Sequence, residues 1–170
     1  MHTTSMTSMK LFMDKYVKAG DSILDVGSAI VLNQGMSYRD IIPEDTFYTG
    51  IDVADGENVD IVINDSYNWN LGKIFDVVIS GQALEHIEYP WLTMAEISKN
   101  LKVGGYCCII VPHIWLIHRF PIDTYRYNPD GLEALGKWAG LEVVDTYVGE
   151  STGLVDCVGI FKKGDRQHGI

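Results

Sequence analysis

The sequence predicts an α/β domain, with a mostly parallel seven-stranded sheet that closes in a C-terminal antiparallel hairpin. Seven short apolar runs, many of them β-branched, are each closed by polar residues or glycine, as suits strands buried on both faces of a sheet. Stretches of helical periodicity separate several of these runs. The last two runs are joined by Gly149 to Leu154 alone, which leaves no room for a crossover and demands an antiparallel pair.

The elements follow in order. Met9, Phe12, Met13, Tyr16 and Val17 recur at helical spacing behind a Ser/Thr cluster, and Gly20 stops them, which predicts an amphipathic first helix over about residues 7–19. The strand-like runs are Ser22 to Val26, Phe47 to Val53, Val59 to Ile63, Phe75 to Ser80, Tyr106 to Val111, Leu141 to Val148 and Val155 to Phe161. Between Asn33 and Pro43 a short helix is expected, with Ser37 as its cap and Ile41 and Ile42 as its apolar side. Trp91, Met94, Ala95, Ser98 and Leu101 line one face of a helix expected to end at Gly104-Gly105. Asn128 and Pro129 make a cap and first-turn pair ahead of Leu132, Leu135 and Trp138, with Gly140 as the stop. The connection Ala54 to Asn58 is too short for a helix.

A chain of 170 residues with 46% apolar and 21% charged residues reads as a single domain over residues 1–170 with its core at about 21–163. That size needs neither disulfides nor a structural metal. The net charge of -10 repels phosphate backbones and argues against nucleic acid as a partner. The three cysteines form neither a disulfide framework nor a zinc pattern. They read as reduced packing residues, with Cys107 and Cys108 on opposite faces of one strand. A cytoplasmic protein is expected, since the N-terminus has no signal-peptide pattern. No membrane partner is expected either, because the longest apolar run, Cys107 to Pro112, cannot span a bilayer.

Ligands of open α/β sheets bind at the carboxyl ends of the strands, where strand order reverses. Four successive strand ends carry short polar or acidic groups: Asp25-Val26-Gly27-Ser28, Asp52, Asp65-Ser66, and Ser80-Gly81-Gln82. Asp and Gly are ordinary turn residues singly, but the ordered series is not ordinary. Asp25-x-Gly27, Asp52, Asp65, then Phe75 to Ser80 leading to Ala83-Leu84-Glu85-His86-Ile87 resembles the class I S-adenosylmethionine-dependent methyltransferases, in particular the small type 11 branch. Leu101 to Tyr106 followed by Ile109 to His113 is similar to that family's helix, tight turn and fifth strand. The resemblance implies a Rossmann-like methyltransferase fold with helices on both faces of the sheet, and S-adenosyl-L-methionine as cofactor. It implies Asp25 and Gly27, with Ser28 beside them, at the methionine end, Asp52 at the ribose hydroxyls, Asp65 and Ser66 at the adenine edge, and Ser80 and Gly81 beside the sulfonium. A cationic sulfonium and ammonium suit an acidic pocket. The sequence departs from the family at Ala29 and Val31, where the loop usually carries two further glycines.

Methyl transfer from a sulfonium is an in-line displacement that depends on alignment and requires no metal. A hydroxyl acceptor gains from a base, and histidine is the first candidate. His113 follows the fifth strand, and His118 lies in the aromatic and charged segment Trp115 to Tyr127. His86, next to Glu85, suits a structural or cofactor-capping role. The Trp115 to Tyr127 segment resembles a stretch of type 11 members associated with glycan and lipid-linked sugar pathways. Trp115 and Tyr125 would stack on a sugar, with Arg119, Asp123 and Arg126 bonding to hydroxyls or an anionic group. The alternative for this segment is a packed lid in which Arg126 pairs with a carboxylate. Its aromatics suit a homodimer contact as well as a substrate. The expected activity is methyl transfer to a small-molecule hydroxyl, as on a sugar or glycan-pathway intermediate. Two alternatives stand beside it: a cofactor-binding domain without turnover, and a nicotinamide-dependent oxidoreductase, against which the missing G-x-G-x-x-G counts.

Overall fold

The structure is a computed structural model that describes residues 2–31, 35–150 and 153–165. Residues Asn33 and Gln34 of the expected short helix and Ser151 and Thr152 of the hairpin loop lie outside the described residues. Strands β1 (Ser22–Val26), β2 (Phe47–Asp52), β3 (Ile61–Val62), β4 (Phe75–Gly81), β5 (Leu101–Ile114), β6 (Glu142–Val148) and β7 (Val155–Lys162) form one sheet in the order β3-β2-β1-β4-β5-β7-β6. The first five run parallel, and β7 lies antiparallel between β5 and β6. Strand order therefore reverses between β1 and β4, which fixes the ligand-binding edge.

The central strands are buried on both faces. Leu24, Val78, Cys107 and Ile109 pack into a layer completed by Met94 and Ile97 of α2 (Pro90–Asn100) and Leu132 of α3 (Pro129–Trp138). Ile23, Val77, Ile79, Cys108 and Ile110 pack into the opposite layer, under Met9, Phe12 and Met13 of α1 (Thr3–Tyr16). Cys107 and Cys108 thus lie on opposite faces, both buried and free, because strand side chains alternate.

Several boundaries differ from expectation. Helix α1 begins at Thr3 rather than at residue 7, since the Ser/Thr cluster lies inside the helix instead of capping it. Thr7 Oγ1 donates to Thr3 O within the first turn, and Ser5 is buried against Tyr38. Helix α2 stops at Asn100, not at Gly104-Gly105. The glycine pair belongs to β5, where Gly104 has φ +82° and a Cβ on Gly105 would lie 2.6 Å from Asp76 O. There the pairing with β4 shifts register, so the glycines permit a bulge instead of ending a helix. The expected helix before Pro43 is a single 3-10 turn, Tyr38–Ile41, and the Asp40 carboxylate accepts the backbone N–H of Ser37.

Strand β3 is shorter than the Val59 to Ile63 run, and both its residues are exposed. No helix joins β2 to β3. Instead Asn58 takes φ +73°, its amide donates to Ser28 O and Tyr48 Oη, and Asp60 accepts the N–H of Gly50 at 2.7 Å. These side-chain bonds take the place of a crossover helix and tie the turn to the loop after β1. Among the described residues no helix is long and apolar enough to cross a membrane.

Candidate active site

Two adjoining cavities open at the carboxyl ends of β1, β2 and β4, on either side of the loop after β1. The larger, about 520 Å³, is bounded by Asp52, Ile63, Ser66 and Trp69. The smaller, about 140 Å³, is bounded by Asp25, Ser28, Gly81, Trp115 and His118. Gly27, Ala29, Val31, Gln82, His86 and Phe120 line both, so they form the wall between the two compartments.

Strand β1 ends with Asp25 buried and its carboxylate accepting the Tyr48 hydroxyl at 2.6 Å. Burial pushes the Asp25 carboxyl up to about 7, against the lowering effect of that hydrogen bond and of the Arg39 charge. Burial, together with the adjoining Asp25 carboxylate, also raises the Tyr48 hydroxyl above its ordinary range, so Tyr48 remains the donor. Gly27 turns the chain with φ +78°, and a Cβ there would meet Ala83 Cβ at 2.5 Å. Its N–H and that of Ser28 both donate to Ile51 O, and the Ser28 hydroxyl donates to Asn58 O. The loop is thereby braced against β2. Neither Ala29 nor Val31 has positive φ, so this turn needs only its first glycine.

Asp52 closes β2. One carboxylate oxygen accepts the N–H of Ala29 and the other that of Ala54, both at 3.1 Å. Each oxygen keeps a lone pair for another donor. Ser66 lines the larger cavity, whereas Asp65 is exposed, accepts the Tyr67 N–H at 2.8 Å and lines neither cavity. At the end of β4, Ser80 is fully buried and its hydroxyl donates to Val26 O at 2.8 Å. It ties β4 to β1, while Gly81 reaches the smaller cavity. A Cβ on Gly81 would sit 1.9 Å from Tyr38 Oη, so only glycine lets that tyrosine close beneath the site.

The Trp115 to Tyr127 segment folds over the smaller cavity. His118 and Trp115 line it, Arg119 lines the larger one, and Phe120 lines both. His113 lines neither; its Nδ1 bonds to Tyr127 O at 2.8 Å. Asp123 and Arg126 form a two-pronged pair at 2.5 and 2.8 Å, and the guanidinium also donates to the Leu116 and Tyr125 carbonyls. Arg126 holds the Asp123 carboxyl well below the usual carboxylate range. Two of the side chains expected on the acceptor, Asp123 and Arg126, thus brace the segment, as in the packed-lid alternative. Tyr125 donates from its hydroxyl to Glu88 O and ties the segment to the start of α2.

The sequence reading passed over several residues of this centre. Gln82 has φ +56° and donates from its amide to Asp156, a buried carboxylate from β7. His2 stacks on Trp115 with ring centroids 4.7 Å apart, and its Nε2 lies 3.3 Å from Asp156. Glu85 is fully buried behind His86 and His118, and burial pushes its carboxyl up to about 8. The signal for Gln82 and Glu85 was their place just after β4. Nothing local marked Asp156 or His2, which only the tertiary fold brings in.

The model of a methyltransferase domain family matches residues 40–109. No curated protein matches the chain. Among solved structures, a 1,6-didemethyltoxoflavin-N1-methyltransferase from Burkholderia thailandensis, with 1,6-didemethyltoxoflavin and S-adenosylhomocysteine bound, superposes with TM-score 0.74 at 18% identity. That match covers 95% of this chain and 79% of that one. N-methyltransferase NodS from Bradyrhizobium japonicum, in complex with S-adenosylhomocysteine, has TM-score 0.66 at 14% identity, covering 93% and 85%. The [4+2]-cyclase SpnF has TM-score 0.74 at 15% identity, covering 94% and 81%. The methyltransferase-domain match spans less than half of the chain, and the solved structures show that the chain shares the fold of these proteins.

Proposed function

We propose that the protein transfers a methyl group from S-adenosylmethionine to a hydroxyl of a small molecule, such as a sugar or glycan-pathway intermediate. The observation that carries this reading is the pair of cavities sharing one wall at Gly27, Gln82, His86 and Phe120. The larger suits the adenosine half, with Asp52 on the ribose diol and Ser66 toward the base. Asp25 sits in the wall of the smaller, where the cofactor's ammonium group would meet a carboxylate. The sulfonium then lies between the compartments, and an acceptor entering past Trp115 and His118 approaches it in line. Both solved methyltransferases reported above carry N-methyltransferase names, whereas the aromatic wall here suits stacking on a ring that bears hydroxyls. His118 is the group on that wall able to take the acceptor's proton. The acid-rich surroundings favour the cationic cofactor over its neutral product, which assists release after transfer.

The test is release of S-adenosylhomocysteine from S-adenosylmethionine with a panel of hydroxylated acceptors, set against amine acceptors of the same size. Turnover confined to hydroxylated compounds supports the assignment. Turnover confined to amines refutes the acceptor class and leaves the cofactor site standing.

A further inference from the structure

We propose that Glu85, His86 and His118 form a binding site for a single divalent transition-metal ion, with zinc as the natural occupant, in the wall of the smaller cavity. Three ligand atoms, one from each residue, lie within 4.8 Å of one another. His86 Nε2 is 3.7 Å and His118 Nε2 is 3.8 Å from the same Glu85 oxygen.

The protonation pattern gives this convergence its meaning. His86 Nδ1 lies 2.7 Å from Ile122 O, and His118 Nδ1 lies 3.1 Å from Leu116 O. A carbonyl only accepts, so both Nδ1 atoms must carry the proton. Both Nε2 atoms then present lone pairs toward Glu85. That carboxylate is fully buried, and neither of its oxygens has a hydrogen-bond partner from another residue among the described residues. A neutral Glu85 carboxyl can turn its single proton toward only one of the two nitrogens, so at least one lone pair faces it without a donor, an arrangement that a cation resolves. Two imidazoles fixed through Nδ1–H to carbonyls, plus one carboxylate, are a donor set that suits zinc and leaves a coordination position open. An ion with bonds of about 2 Å holds its ligand atoms roughly 3.3 Å apart, so each ring needs to close on Glu85 by about half an ångström, and separations within the cluster of up to 4.8 Å need to contract by up to about 1.5 Å.

His86 and His118 line the cavity and Glu85 stands behind them, so the open position faces the space assigned to the acceptor. This departs from the expectation of a metal-free centre. An ion there would occupy the His118 lone pair, so it would supply acidification of a bound hydroxyl, whose proton would pass to solvent rather than to a free imidazole. That consequence rests on the proposed methyl transfer; binding of the ion does not.

The test uses full-length, tag-free protein stripped with a chelator and titrated with Co²⁺ alone, read by visible absorption, with Zn²⁺ as competitor. The expected result is one equivalent bound and displaced by Zn²⁺. Affinity should fall roughly tenfold or more in Glu85→Gln and in His118→Ala and stay unchanged in His113→Ala, whose histidine lies outside the cluster. Absence of saturable binding, or binding that both cluster substitutions leave unchanged, overturns the site. If Glu85→Gln fails to fold, the partly exposed His118 decides alone. Calorimetry with S-adenosylmethionine on the same sample separates the two readings: cofactor binding without Co²⁺ binding overturns only the ion site, and the reverse overturns only the cofactor site.

Discussion

Replacing Asp25 with asparagine should separate stability from cofactor binding. Asp25 is buried with its carboxyl pushed up from 3.8 to about 7, so below pH 7 the folded protein holds a proton that the unfolded chain has lost. Stability from this group is complete below the unfolded value and is lost as pH rises through the folded one. At 1.36 kcal/mol per pH unit, the cost is about 1.7 kcal/mol at about pH 5 and about 4.3 kcal/mol at about pH 8. Asparagine keeps an oxygen for the Tyr48 hydroxyl but adds an amide that costs about 1 to 3 kcal/mol where it finds no acceptor. That penalty does not vary with pH, so the change in the wild-type-minus-variant difference isolates the carboxyl. Between about pH 5 and about pH 8 the variant should gain about 3 kcal/mol on the wild type, or roughly 6 to 12 °C in melting temperature for a domain of this size. Denaturant melts of the ligand-free proteins at both pH values measure it. In calorimetry the same variant should bind S-adenosylmethionine more weakly, and the wild type should tighten with pH up to about 7 and release a proton on binding. A difference that moves by less than about 1 kcal/mol, or cofactor affinity unchanged in the variant, refutes the reasoning.

Three further substitutions probe the frame of the site. Gly27→Ala adds a side chain at φ +78° that meets Ala83 Cβ at 2.5 Å, and it should cost about 2 to 4 kcal/mol in chemical denaturation; a neutral result means the turn relaxes freely. Asp52→Ala removes both the proposed ribose acceptor and the brace on Ala29 and Ala54, so cofactor affinity measured by calorimetry should fall about tenfold or more. Unchanged affinity would remove Asp52 from the site. Arg126→Ala frees Asp123 and the Leu116 and Tyr125 carbonyls. It should raise the acceptor's KM while leaving cofactor affinity within about twofold, and protease cutting between Trp115 and Tyr127 should speed up.

Strands β1, β4, β5 and β7 were legible as apolar runs that the sheet buries from both sides, and the final pair because its connection is too short for a crossover. Helix α2 was extended too far because a glycine pair after a helix has the composition of a stop. Only the pairing with β4 shows it to be a bulge in β5. Asp25, Gly27 and Asp52 were readable as strand ends, since their position follows from the chain itself. Ser80 was equally a strand-end residue, yet its register opposite Val26 turns the hydroxyl into a β4-to-β1 tie. Asp123 and Arg126 are a residue pair whose spacing allows either mutual pairing or two ligand contacts, and composition does not choose between them. Asp156 and His2 reach the centre from β7 and from the turn before α1, and contacts over such separation leave no local trace.

The site's acidity has a structural rationale beyond the net charge of -10. Asp25 lines the small cavity, Glu85 and Asp156 are buried behind its His86, His118 and Gln82 walls, and Asp52 lines the next cavity. Burying several carboxylates without cations opposes folding, and the Gln82 backbone, held at φ +56° between Asp156 and Ile110 O, adds strain at the same point. Such costs persist where a ligand offsets them. In the proposed reading a sulfonium and an ammonium group would supply the missing positive charge near Asp25, and a divalent ion would supply it near Glu85. The ligand-free protein should therefore gain more melting temperature from S-adenosylmethionine than from neutral S-adenosylhomocysteine at matched saturation, and that gap should narrow in Asp25→Asn even though the variant itself is the more stable protein above pH 7.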